Sequence, residues 1–397
     1  MSSSNLVKVS LIEETALGET PATGNFKTAR FTSESLSGTP ETTESAQIRT
    51  DRLSSGQVVT GLTVGGELNF EAAKEEVVEL FMESALLSDF TTSTAVSVDL
   101  TVDNTAKTIT RAAGDFNGEV AVGDFVVLAG FDDAGNNTEI MVTAINSATE
   151  IKYVGPEGMV DGTGTTTSFQ VCDKLSVGIN KKSFSMQKSF EDLTDKAINY
   201  KGMLVSNMSL NVSYGEIVNG TFGFSGVAYQ PVEVAGDFIT DSRTVDSPAT
   251  TNSLNGSIDM PHISSSAVGD LQEAEFCIQS LEVSLDNNLT AQTCIGESAP
   301  VDYSPGTAAI SISLTAYLAD DNWDILAKKL TQTPFSIGFQ LKNEDGYYGF
   351  FFPAIQVSFE DPASTGANED VFLNMTGTAK VGANGESSML IYRAPTV

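Results

Sequence analysis

Apolar and polar residues alternate along much of this chain. Across 62–70, Leu62, Val64, Gly66, Leu68 and Phe70 are interleaved with Thr63, Gly65, Glu67 and Asn69. A period of two puts one set on each face of a strand. The same spacing recurs at Ile310, Ile312, Leu314, Ala316 and Leu318, and again over 207–213 and 221–224. Helical spacing is scarce. It predicts one helix over 72–87, with Ala73, Val77, Leu80, Phe81 and Leu87 as its apolar stripe. A second helix is predicted over 321–330, capped by Asp320 or Asp321 and turning Trp323, Leu326 and Leu330 inward. The expected fold class is mainly β with a few helices.

The two strand–helix units invite superposition, because an internal repeat changes the reading of a whole chain. A shift of 248 positions places Leu62 on Ile310, Val64 on Ile312 and Leu68 on Ala316, with the helices coinciding. Each unit follows a strand and polar loop and precedes a hairpin, so an internal duplication is expected. The first copy carries an extra stretch, 89–167, whose short apolar runs are separated by Gly, Asp and Asn turns. Its Val122–Gly123–Asp124 turn resembles that of a small SH3-like barrel, a unit whose neighbouring ends let it sit in a loop. The expected organisation is a first module from 1–88 with 168–228, an inserted barrel at 89–167, a Pro- and Ser-rich crossover at 229–271, and a second module at 272–397.

Charge narrows the function. The 397 residues carry 52 Asp and Glu against 21 Lys and Arg, a net charge of −31. Such a surface repels phosphate and speaks against a sequence-reading nucleic-acid binder. No apolar run approaches the ~18 residues of a membrane helix, and the first residues lack the basic and apolar segments of a secretory signal. Cys172, Cys277 and Cys294 are odd in number and without CxxC spacing; they read as reduced, partly buried thiols of a cytosolically made protein.

Catalytic constellations are hard to build. The one histidine, His262, lies in the crossover and reads as an exposed loop residue. Phosphate-binding glycine loops are missing, and the 162–165 Gly-Thr run is a turn. Asp132, Asp133, Asn136, Asn137 and Glu139 could offer oxygen ligands to calcium, yet they lack the full alternating order and read as a polar hairpin turn. No catalytic, cofactor-binding or metal site is expected.

Three blocks then carry a family likeness. The first holds Thr20-Pro21, the strand Arg30 to Leu36, Ile48 to Arg52 and the glycine-containing strand Val58 to Glu71. The second holds Gly202-Met203, Val205, Met208 to Leu210, and Gly220, Phe222, Phe224 and Gly226. The third runs from Leu285-Asp286-Asn287-Asn288-Leu289 to the aromatic stretch Tyr347 to Pro353. In this order they resemble the tail tube (major tail) proteins of long, non-contractile-tailed bacteriophages, over most of the chain outside 89–167.

The resemblance implies a non-enzymatic structural subunit of the virion tail, made and assembled in the bacterial cytoplasm. It implies stacked rings whose shared inner β-barrel surrounds the DNA during ejection, with tape-measure, tail-tip and tail-terminator proteins as partners. Lumen-facing residues are then expected at Thr63, Glu67, Asn69, Ser311, Ser313 and Thr315. Contacts between subunits or rings are expected at Leu6, Val7, Val9, Leu11, Ile48, Arg49 and Arg52, with the 1–18 arm, the 37–55 loop and the crossover as bridges. Two modules per chain favour a trimer with pseudo-six-fold symmetry over a hexamer. The competing reading is a secreted or surface-array β-sandwich adhesin.

Overall fold

The computed structural model describes residues 3–395 apart from 52, 54, 157, 235, 241–242, 257–262, 268–276, 320–322, 324–325, 327–329, 365 and 383–384. Strands dominate it. In chain order the principal elements are β1 (Val7–Glu13), β2 (Ser37–Glu44), β3 (Gln57–Glu71), α1 (Glu76–Leu86), β4 (Ser183–Phe190), β5 (Ala197–Ser213), β6 (Asn219–Gly226) and β7 (Ala228–Val232). There follow β8 (Ile263–Ala267), β9 (Ile278–Asp286), β10 (Ala309–Tyr317), β11 (Phe335–Asn343), β12 (Gly346–Ser358), β13 (Phe372–Ala379) and β14 (Leu390–Arg393).

The pairings of the second half repeat those of the first. β2–β3, β3–β6, β5–β6, β4–β5, β5–β7 and β1–β4 correspond to β9–β10, β10–β13, β12–β13, β11–β12, β12–β14 and β8–β11. Irregularities recur too. The β4–β5 ladder slips between Phe184 and Met186, and the β11–β12 ladder between Phe335 and Ile337. Leu87, which caps α1, and Gln332 both adopt the left-handed conformation at φ 52°.

These ladders coincide at a shift of 246 between β3 and β10, two residues short of the 248 that hydrophobicity suggests. Glu67↔Gly223 then matches Ser313↔Thr376. A displacement of two leaves every side chain on its own face, so alternation alone cannot distinguish the registers.

One ladder crosses between the halves. β5 is 17 residues long and runs through both layers of one continuous 17-stranded sheet. Its first part lies between β4 and β7, and its second part lies between β6 and β9, with Asn207↔Asp286 through Ser213↔Ser280. The bend falls near Gly202, at φ +64°, where a Cβ would stand 2.4 Å from Val227 Cγ2. Only glycine meets both demands.

The main core fills the space between the two layers of this sheet. α1 sits there, with Phe81 edge-on to Phe184 of β4 and to Phe222 and Phe224 of β6. The second predicted helix falls mostly outside the described residues. Leu326 packs partly against the core, but Trp323 (61% exposed) and Leu330 (85% exposed) face solvent. The i, i+3, i+7 spacing thus does not turn these two side chains inward, because no part of the described core covers them.

Residues 96–171 form a separate eight-stranded sheet. It encloses its own apolar cluster, including Leu100, Ile109, Phe116, Val142, Tyr153 and Phe169. It docks through a third cluster, in which Phe125, Met141 and Cys172 meet Tyr347, Phe351, Leu390 and Tyr392. Asp124, nearly buried, accepts hydrogen bonds there from Lys174 Nζ (2.9 Å) and Tyr392 OH (2.8 Å). Tyr347 and Phe351 alternate along β12 with Tyr348, Phe350 and Phe352, which belong to the main core. The docked unit therefore covers the outward face of the β11–β12–β14 sheet, with the main core between it and the β5–β9 side.

Candidate functional face

The sheet β2–β3–β6–β5–β9–β10–β13–β12 is continuous through its ladders. One face is core: Val64, Leu68, Phe222, Met208, Leu210, Leu281, Val283, Ile312, Leu314 and Met375 are buried. Residues directly opposite in an antiparallel ladder project to the same side, so the other face can be read row by row.

One row runs Asn69–Thr221–Ser209–Ser284–Ser311–Thr378–Gln356 across seven strands. The next runs Asn219–Asn211–Glu282–Ser313–Thr376–Ser358, and a third runs Glu67–Gly223–Asn207–Asp286. No Lys or Arg stands in these rows. Short polar side chains bond to one another: Thr221 Oγ1 donates to Asn69 Oδ1 (2.5 Å), Thr315 Oγ1 donates to Asn374 Oδ1 (3.0 Å), and the Ser284 and Ser311 hydroxyls lie 2.7 Å apart. Thr63 Oγ1 donates to Glu41 Oε1 on β2 (2.7 Å). Such pairing occupies part of the side-chain donors, and the rows form a low, uncharged relief broken by isolated carboxylates.

Thr63, Glu67, Asn69, Ser311, Ser313 and Thr315, predicted from two distant segments, therefore share this face. Sequence reasoning missed the strands between them as members of it. The 207–213 alternation was visible, but nothing local shows that β5 pairs with β9.

The expected contact residues divide. Val9 and Leu11 are fully buried in this chain, within a strand paired to β4, so they are core rather than free contacts. Leu6 is exposed and Val7 half-buried. Ile48 is fully open (99% exposed), Arg49 is exposed and bonded to Asp51 Oδ1 (2.9 Å), and Arg52 lies outside the described residues. Around Ile48 the β2–β3 ribbon extends past the end of β6 and also exposes Leu53, Val58 and Val59.

The described part of the crossover is bound to its own chain. Phe26 N donates to Thr244 O, Asp246 N to Phe26 O, and Leu254 N to Ala72 O. His262 lies outside the described residues. Of the cysteines, Cys172 is buried with its thiol pushed up to about 12 by burial, while Cys277 and Cys294 are exposed. The 131–139 segment closes on itself, with Phe131 N donating to Asn137 Oδ1 and Gly135 N to Asp133 Oδ1. Among the described residues no group of three or more His, Cys, Asp or Glu is placed to hold a metal.

A broad polar sheet face backed by a deep core is the make-up of a structural wall. The family model for phage tail tube protein matches residues 4–379, and the chain belongs to the phage tail tube protein family. It is a structural protein of a bacteriophage tail. A search of curated proteins finds no match.

Proposed function

We propose that this chain polymerises as stacked rings and that the polar face lines the lumen through which genomic DNA is ejected. The observation that carries the reading is the cation-free set of rows running unbroken from β3 to β12. DNA bears one charge per ~1.7 Å of its axis, and a basic wall would hold it by counterion release. Hydroxyls, amides and scattered carboxylates offer it no cation to displace its counterions, so the duplex slides.

The repeated pairings support reading each chain as two modules, with 96–171 an added outer unit. Eight sheet strands per chain give about 24 in a ring of three, and at ~4.8 Å per strand a backbone diameter of ~37 Å before strand tilt widens it. Three chains then make a ring with pseudo-six-fold symmetry, which extends head to tail as a filament. The β2–β3 ribbon, with Ile48, Leu53, Val58 and Val59 exposed, reaches the next ring, where these side chains lose their contact with water. Tape-measure, tip and terminator proteins bound the length of the filament.

Cryo-electron microscopy of the purified assembly tests this. Hollow tubes with three chains per ring and the polar rows facing the bore are expected. Six chains per ring refute the trimer, and discrete particles refute the tube.

A further inference from the structure

The first half's β2 occupies the place that β9 holds in the second half, and β5 the place of β12. Within the chain β5 and β9 are joined. The two remaining places, β2 and the end of β12, stand at opposite edges of the eight-stranded sheet. Among the described residues β2 forms a ladder only with β3, and Gln356, Val357 and Ser358 at the end of β12 form one only with β13, with Gln332 Nε2 also donating to Val357 O (3.3 Å).

Resting on the tube reading, we infer that β2 of one copy adds to the end of β12 of the next, copying the β5–β9 joint between chains. The register follows from that template. Asn207 lies opposite Gly223, and Ser358 lies opposite Thr376, the equivalent position. Asp286 is equivalent to Thr39, because Asp286↔Ala309 matches Thr39↔Thr63 at the 246 shift. Asn207↔Asp286 therefore becomes Ser358 against Thr39 of the neighbour.

The second-half edge is visibly unfinished. β5 pairs with β6 from Leu204 to Asn211, whereas β12 accompanies β13 only from Ile355 to Ser358. A cleft lined by Ser358, Glu360, Phe372, Asn374 and Thr376 lies where β12 would continue. An incoming β2 supplies the backbone partners that let it continue, as in β-augmentation. Pro40 and Pro362 cannot donate to a ladder, which confines the joint to a short stretch and discourages unspecific pairing of the free edges.

Disulfide trapping tests the joint. Directly opposed Cα atoms lie ~4.5–5.5 Å apart, within disulfide reach, whereas diagonal neighbours at ~7–8 Å are not. In full-length protein with C277S and C294S, T39C is combined with S358C, and as a control with Q356C; single-cysteine variants confirm that rings still form. Oxidised rings of T39C/S358C should yield covalent multimers ending at three chains, in at least roughly ten-fold excess over the control. Rings that form without linkage, or that link equally in the control, overturn the joint while leaving the tube standing. Protein that forms no rings at all removes both.

Discussion

Replacing Phe81 with Ala should remove the pin between the two layers of the first half. Phe81 is buried on α1 with ring centroids 5.4 Å from Phe184, 5.2 Å from Phe222 and 5.1 Å from Phe224, all inclined edge to face. Truncating a buried Phe costs about 3–5 kcal/mol, and each inclined aromatic pair adds ~0.5–1.5 kcal/mol beyond its buried area. Three such pairs on one ring place the loss near the top of that range, about 4–5 kcal/mol, a large part of a typical ~5–15 kcal/mol. Urea unfolding followed by far-ultraviolet circular dichroism measures it; Trp323 fluorescence does not serve, since that ring is already exposed. The outer unit has its own core and can give a second transition, so the comparison uses the main one, where the midpoint should fall with the slope unchanged. A loss below about 2 kcal/mol would show that the site collapses around the gap, and that α1 does not hold the layers apart.

Further outcomes follow from other features. Substituting Lys for Ser209 and Ser313 places cations in two adjacent rows of the proposed bore, and ejected DNA should then stall at low salt and be released as salt rises; transit unaffected at every ionic strength would contradict a lumenal position. Glu75 is lifted by burial to about 7, with Arg30 opposing the shift. The fold thus binds this proton more tightly than the unfolded chain, and its contribution is fully present below pH ~4.5 and lost as pH rises through ~7. E75Q should accordingly melt higher than wild type at pH 8 and the same at pH 4.5; an equal gain at both values refutes the assignment. Excising residues 93–171 should uncover Tyr347, Phe351, Leu390 and Tyr392 and cause aggregation that polar replacements at Phe351 and Leu390 relieve. Excised protein that remains soluble and assembles would show that the docked unit is decoration.

Much of the fold is written in local alternation. The Thr63–Asn69 and Ser311–Thr315 faces follow from a period of two, and α1 from its apolar stripe, because burial of one side imposes those rhythms directly. What failed was non-local. Val9 and Leu11 alternate equally well in a loose arm and in a strand of the chain's own sheet; only pairing with β4 tells them apart. The 248 and 246 registers keep identical faces. In the aromatic run from Tyr347 to Phe352, Tyr347 and Phe351 turn outward to meet Phe125 and Met141, a contact with a distant segment that no local spacing reveals. Trp323 shows the converse, helical spacing without a surface to bury it.

In the proposed ring, the β5–β9 ladder bears on how assembly begins. Bringing separate bodies together costs roughly 4–15 kcal/mol of lost translational and rotational freedom at each step, so a closed circle of six single modules meets that loss five times, and three double modules only twice. The peptide between β7 and β9 keeps two modules at a high effective concentration, so their joint forms at any dilution. Covalent linkage thereby shifts the concentration at which the first ring nucleates, without adding a contact to the finished wall.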